Sequence, residues 1–238
     1  MSLRLAVNIG NTHIKLAYCL NNKIYSKSYT HEVFSHNVLP FLDDISISDI
    51  IIASVVPGLT ATVQDILQTK FNKNTKVLSH TDIPIDTSMY NTALVGIDRL
   101  LACYGYGSYP AIVFDLGTAT TVNVIDNENK FLGGAILAGA KMQLHALAQK
   151  GAMLPEIGIK DVELIDNPIG DNTKAGIISG LVYGTASAID GMAKKIQKKL
   201  GYKCNLVITG GFSIYIMPHL EGNYTHNEDL VIEGILKL

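Results

Sequence analysis

Cysteine is scarce in this chain of 238 residues: Cys19, Cys103 and Cys204 stand alone, with no CxxC spacing. The count argues against a disulfide framework or a cysteine zinc site and points to a reducing compartment. Charge is thin as well, at 17% of residues with a formal net of −2, which leaves no basic field for a nucleic acid. The one dense run of cations, Lys194-Lys195-Ile196-Gln197-Lys198-Lys199, closes a helix-like stretch, where cations suit the macrodipole. Long apolar runs are missing too. Residues 175–193 carry no charge before Asp190, but Gly, Ser and Thr interrupt them, against a membrane span. The first residues do not form the apolar run of a signal peptide. The histidines show no paired metal spacing; a loop is expected between His31 and His36 and a helix at His145, all as structural or surface residues. A cytoplasmic protein without nucleic-acid or membrane partners is therefore expected.

What the chain does have is apolar content, 47% of its residues, enough for a sizeable core in one or two compact domains. Strands are expected at Leu3–Val7, His13–Leu20 and Lys23–Tyr29, with Asn21-Asn22 turning between the last two. A helix is expected in part of 36–43. Ile50–Val56 is a continuous apolar run ended by Pro57-Gly58, which predicts a buried strand. Thr60–Phe71 has helical period, and Lys76–Leu78 returns to strand. The second half repeats the plan with strands at Ala111–Phe114, Thr121–Ile125, Lys130–Ala135 and Leu206–Thr209, and Gly210-Gly211 opens a turn into a further helix. Asp43-Asp44 and Glu228-Asp229 read as solvated turns.

Two segments carry the chemistry. Val7-Asn8-Ile9-Gly10-Asn11-Thr12 and Phe114-Asp115-Leu116-Gly117-Thr118-Ala119 are each an apolar run, then an amide or carboxylate, an apolar residue, a glycine and hydroxyl or amide side chains. A glycine in a tight hairpin lets backbone N–H groups approach a polyphosphate, and Thr and Asn add donors. A phosphate hairpin in each half predicts an α/β protein of duplicated actin-like ATPase (ribonuclease H-like) domains, 1–110 and 111–238, with the nucleotide cleft between them.

Further stretches occur in a telling order: Ala53-Ser54-Val55-Val56-Pro57, Tyr90 through Arg99 (YNTALVGIDR), Asp115 through Thr121 (DLGTATT), Gly133-Gly134-Ala135-Ile136, Leu154-Pro155 and Thr209-Gly210-Gly211. In this order, and in register with the N-terminal IGNT, the chain resembles the type III pantothenate kinases over nearly its whole length. The resemblance implies ATP-dependent phosphorylation of pantothenate, the first step of coenzyme A synthesis, by a homodimer that uses Mg²⁺ and a monovalent cation, K⁺ or NH₄⁺. It implies that Asn8, Ile9, Gly10, Asn11, Thr12, His13, Ile14 and Lys15 cradle the triphosphate, with Gly117 and Thr118 as further ATP contacts and Thr209, Gly210 and Gly211 as the adenosine motif. Asp115 matches the acidic residue linked to the monovalent cation. Tyr90, Gly96, Ile97, Asp98 and Arg99 match the pantothenate pocket, Asp98 matches the catalytic base, and Thr173 resembles a pantothenate contact supplied by the partner subunit.

The residues themselves also single out Asp98. The apolar run Leu100-Leu101-Ala102-Cys103 predicts a helix that begins near Asp98, where the dipole favours the ionised form. A helix cap paired with a surface Arg99 is the alternative. Asn8 stands where the resembled family has Asp, and Asn123 and Ala138 also depart from its pattern. The alternative reading is therefore a non-catalytic nucleotide- or pantothenate-binding relative with a regulatory role; a kinase of the same superfamily acting on another small hydroxyl compound is a third. Gly176, Gly180 and Gly184 make a bare helical stripe, either for tight packing in the core or for a subunit contact.

Overall fold

A computed structural model describes residues 3–36, 40–42, 45–91, 94–162 and 166–238. The chain divides into two compact units, one of Met1–Gly107 with Asp229–Leu238 and one of Ser108–Glu228. The first unit comprises β1 (Leu3–Ile9), β2 (His13–Leu20), β3 (Lys23–Thr30), α1 (His31–His36), β4 (Ile47–Ser54), α2 (Pro57–Phe71), β5 (Thr75–Val77), α3 (Ile97–Tyr106) and, after the second unit, α7 (Leu230–Leu236). The second comprises β6 (Ala111–Leu116), β7 (Ala119–Ile125), β8 (Phe131–Ala138), α4 (Ala140–Lys150), α5 (Thr173–Leu200), β9 (Asn205–Thr209), α6 (Ser213–Ile216) and β10 (Tyr224–His226).

The strand orders, β3-β2-β1-β4-β5 and β10-β9-β6-β7-β8, are the same plan twice. Each is an antiparallel three-strand meander whose first strand pairs in parallel with the next strand of its unit, β1 with β4 and β6 with β9. The turn between β2 and β3 is Asn21-Asn22, both at positive φ, which matches the right-handed twist of a hairpin.

In the first unit Leu5, Val7, Ile9, Ile14, Leu16, Ile50 and Ile52 bury one sheet face against Phe34 of α1 and Val63 and Leu67 of α2. The opposite face presents Ala6, Ala17 and Ala53, all fully buried, and α7 packs against β1 there. α7 also packs on α3. That pair crosses on glycine: a methyl on Gly105 would run into the Leu230 carbonyl, and one on Gly234 into the Leu101 carbonyl. The sequence-based division at 110 thus differs from the structure at the C-terminus, because Asp229–Leu238 buries Leu230, Ile232 and Ile235 in the first unit.

In the second unit Ile112, Phe114, Leu116, Val122 and Val124 pack against Leu144 of α4, Ile178, Leu181, Val182 and Ile189 of α5, and Ile216 of α6. Buried Asp190 accepts from the backbone N–H groups of Glu221 (2.9 Å) and Gly222 (3.2 Å) and from the Tyr224 hydroxyl (3.0 Å), tying the strand β10 to α5.

Three local expectations change. His31 and His36 bound a helix instead of flanking a loop, and 40–42 forms a single 3-10 turn; residues 37–39 and the Asp43-Asp44 turn lie outside the described residues. Among the described residues no atom lies within 4 Å of a Cβ added at Gly176, Gly180 or Gly184, so packing against those residues does not require the glycines. Among the described residues no helix is long and apolar enough to cross a membrane.

Candidate active site

The first hairpin is closed by the Gly10 N–H, which donates to the His13 carbonyl at 2.9 Å, and anchored to the next strand by Val55 N–H on the Ile9 carbonyl at 3.0 Å. His31 Nε2 lies 2.8 Å from the Gly10 carbonyl, a contact across 21 residues that fixes the turn from the side. Asn11 and His13 are exposed, Asn8, Gly10, Thr12 and Lys15 are half-buried, and Ile9 and Ile14 point into the core. The structure thus groups eight sequence-predicted residues, Asn8 through Lys15, on one turn with its backbone held and its polar tip outward.

On the same unit the loop before α3 carries Tyr90, whose N–H donates to the Thr87 carbonyl at 2.9 Å; Thr92 and Ala93 of the YNTALVGIDR stretch lie outside the described residues. His80 Nε2 is 2.7 Å from the Val95 carbonyl and pins the chain where it turns into α3. Gly96 is the N-cap, and Ile97, Asp98 and Arg99 form the first turn. Asp98 Oδ1 accepts from the Arg99 N–H at 2.9 Å and folds back over Gly96 so closely that an added Cβ there would collide with it.

Burial raises the Asp98 carboxyl above its ordinary value, with the Arg99 N–H and the Arg99 charge only partly opposing it. Desolvation thus opposes the N-terminal field that favours the ionised form. Arg99 is itself buried, at 7% exposure, which excludes the reading of a surface ion pair.

The second hairpin is closed one residue tighter, by the Gly117 N–H on the Ala119 carbonyl at 3.1 Å. Asp115 stands opposite Thr209 in the parallel β6–β9 ladder, which brings the second phosphate segment and the Thr209-Gly210-Gly211 turn side by side. Gly210 has φ +91°, and a Cβ there would sit 2.6 Å from Asp115 Oδ1 and from the Leu116 backbone nitrogen, so this position requires glycine. The Phe212 N–H closes the contact on the Leu116 carbonyl at 3.2 Å. Thr118 is half-buried and Gly117 and Gly211 exposed, while Thr209 is buried. Thr173 is exposed at the first position of α5, after the capping residue Asn172.

Residues 4–195 match the sequence model of the family described as Type III pantothenate kinase. The chain belongs to that family. A type III pantothenate kinase of Persephonella marina is 31% identical over 97% of this chain and 96% of its own length. One of Dictyoglomus turgidum is 34% identical over 95% and 92%. The crystal structure of a glucokinase from an Antarctic psychrotroph covers 99% of this chain and 98% of its own at a TM-score of 0.51 and 10% identity, a likeness of fold alone. The fold is that of the actin-like ATPases and sugar kinases.

His31 and His80 escape sequence reasoning because lone histidines carry no spacing signal. Asp229 escapes it because an acidic pair before a short helix looks like solvated chain.

Proposed function

We propose that the chain is a pantothenate kinase, transferring the γ-phosphoryl group of ATP to the primary hydroxyl of pantothenate as the first step of coenzyme A synthesis. The observation that carries the reading is Asp98: a half-buried carboxylate with a raised pKa, held at the first turn of α3 on the unit that also carries the Gly10 hairpin. In this reading Asn8–Lys15, Gly117 and Thr118 bind the triphosphate, and Thr209, Gly210 and Gly211 the adenosine. Tyr90, Gly96, Ile97 and Arg99 hold pantothenate so that its hydroxyl meets Asp98.

Phosphoryl transfer is mostly positioning and charge stabilisation. Asp98 accepts the hydroxyl proton as the substrate oxygen bonds to the γ-phosphorus, and ADP departs with the electrons of the broken bond. A raised pKa suits that task, since a base works best with its pKa near the working pH. Among the described residues no group of three or more His, Cys, Asp or Glu is placed to hold a metal ion. The residues fit a Mg²⁺ that travels with the nucleotide, coordinated chiefly by phosphate and water oxygens. When bound it neutralises charge on the β- and γ-phosphates. Asp115, beside the Gly210 turn, is the residue for the monovalent cation, K⁺ or NH₄⁺.

The working form is a homodimer in the cytoplasm. What supports the dimer is α5: its face at Gly180 and Gly184 lines an apolar groove of about 340 Å³ with Thr120, Val122, Leu137 and Met192. Ile136 stands 65% exposed nearby on β8. Small residues on one helix face permit a close partner, and Thr173, at the start of that helix, would reach the partner's pantothenate.

The test is transfer from ATP to pantothenate with mass detection of 4′-phosphopantothenate, with and without Mg²⁺ and K⁺. Product that needs both ions is expected. No product, with ATP and pantothenate both measurably bound, would refute the kinase and leave the non-catalytic relative.

A further inference from the structure

Lys15 stands directly opposite Asn8 in the β1–β2 ladder, so the two side chains leave the same face of the sheet. Asn8 offers that lysine an amide but no charge. The charge comes from the far end of the chain: Asp229 Oδ1 lies 2.6 Å from Lys15 Nζ, with the two side chains 26% and 24% exposed. The sequence reading of Glu228-Asp229 as a solvated turn does not hold for Asp229.

The carboxylate is well placed to act on Lys15 and poorly placed for a helix-capping role. Asp229 precedes α7, yet its side chain makes no capping bond to that helix. Its own carbonyl accepts from the Glu233 N–H at 2.7 Å, which fixes the backbone that carries the carboxylate. α7 in turn is locked to α3 at the Gly105–Gly234 crossing, and α3 begins with Ile97 and Asp98.

We propose that Asp229 is a positioning residue for the nucleotide phosphates: it holds the Lys15 ammonium over the first hairpin and supplies the negative charge that neutral Asn8 does not. The inference rests on the reading of Asn8–Lys15 as the triphosphate cradle. A lysine ammonium rides on a flexible four-carbon stem and has three donors. The Asp229 carboxylate, 2.6 Å from the ammonium, restrains that stem, so less freedom is lost when ATP binds. The carboxylate also offsets part of the lysine's charge, which works the other way. The close, partly buried geometry makes fixation the larger effect.

The experiment uses the full chain and steady-state kinetics with each substrate varied. Asp229→Asn is expected to raise the KM for ATP about tenfold, the scale of one well-placed charged contact, and to leave the KM for pantothenate within about twofold. Asn8→Asp in the Asp229→Asn background places a carboxylate across the ladder from Lys15 and is expected to recover most of the ATP affinity. In a Lys15→Met background, Asp229→Asn is expected to change nothing further.

An ATP KM that is unchanged or lower in a folded Asp229→Asn protein would overturn the proposal, as would failure of Asn8→Asp to restore it. Should Asp229→Asn lose its thermal transition, Asp229→Glu keeps the charge one methylene further out. A rise of about threefold in the ATP KM is then expected, and no change would count against the proposal. Calorimetric titration of the wild-type protein with ATP separates the two levels. No binding there sinks the cradle itself, whereas equal binding by wild type and Asp229→Asn sinks only the role of Asp229.

Discussion

Asp98→Asn should make this protein more stable and nearly inactive. The amide keeps an oxygen to accept the Arg99 N–H, which is 2.9 Å from Oδ1 in the wild type, and its shape fits over Gly96 as the carboxylate does. What it removes is a charge whose burial raises its pKa. A carboxyl whose folded-state pKa lies above the unfolded one binds its proton more tightly in the folded state. Stability is therefore greatest below the unfolded value near 3.9 and falls as pH climbs from there through the raised folded value. Above that window the wild type carries the full cost of the buried charge and the Asn variant carries none. The Arg99 N–H and charge offset part of the cost, so the gain belongs to the ordinary range for relieving an active-site strain, about 0.5–2 kcal/mol. In a chain of this size that corresponds to roughly 2–4 °C of melting temperature per kcal/mol. Thermal scans of both proteins from pH 4 to 8 should show the difference growing with pH, while turnover falls by about 10²–10⁴. A lower melting temperature for Asp98→Asn at pH 7 would refute the desolvation argument. Turnover within tenfold of wild type would remove Asp98 as the base.

Gly180→Leu adds a side chain where, among the described residues, nothing lies within 4 Å of the Cβ position, so the fold should survive, and helix propensity should even favour it by about 1 kcal/mol. By light scattering the wild type should have twice the chain mass of 25.7 kDa and the variant should not; a dimeric Gly180→Leu would remove α5 from the interface. Gly210→Ala forces a Cβ to 2.6 Å from Asp115 Oδ1 at φ +91°. It should cost about 1–3 kcal/mol of stability in denaturant titrations and raise the KM for ATP. An unperturbed ATP KM would detach this turn from the nucleotide. Asp115→Asn should abolish the rate difference between K⁺ and Na⁺ buffers; a preserved K⁺ response would place the cation elsewhere.

The fold was legible wherever a strand or helix writes its own period. The run Ile50–Ile52 and the Asn21-Asn22 turn could be read residue by residue, because burial on both faces and two consecutive positive-φ residues each leave a local signature. The C-terminal helix was not legible: its seven residues from Leu230 to Leu236 are too few to show a helical face, and their partner α3 lies more than 120 positions earlier. The active-site candidates were legible as motifs, and their supports were not. His31 on Gly10 and His80 on Val95 are bonds between side chain and distant backbone, which depend on where loops arrive. The ionisation of Asp98 is hard to read for a related reason. A helix start can be seen in sequence, but the desolvation that opposes it comes from packing.

Each hairpin is closed by its glycine N–H, Gly10 on the His13 carbonyl and Gly117 on the Ala119 carbonyl, and the two are held by different means. In the first, side chains do the holding: His31 on the Gly10 carbonyl and Asp229 on Lys15, both reaching in from elsewhere in the unit. In the second, backbone does it. Gly210 lies against the Leu116 backbone, and a methyl on Gly139 would strike the Gly117 and Thr118 carbonyls, so the turn is walled in largely by main chain. A hairpin held by side chains can be loosened and retuned by exchanging charges, as Asn8→Asp across from Lys15 would do. A hairpin held by backbone contact admits no side chain at the glycines and therefore little retuning. Substitutions around the first turn should thus grade the affinity for ATP, whereas those at the glycines of the second should act through the fold.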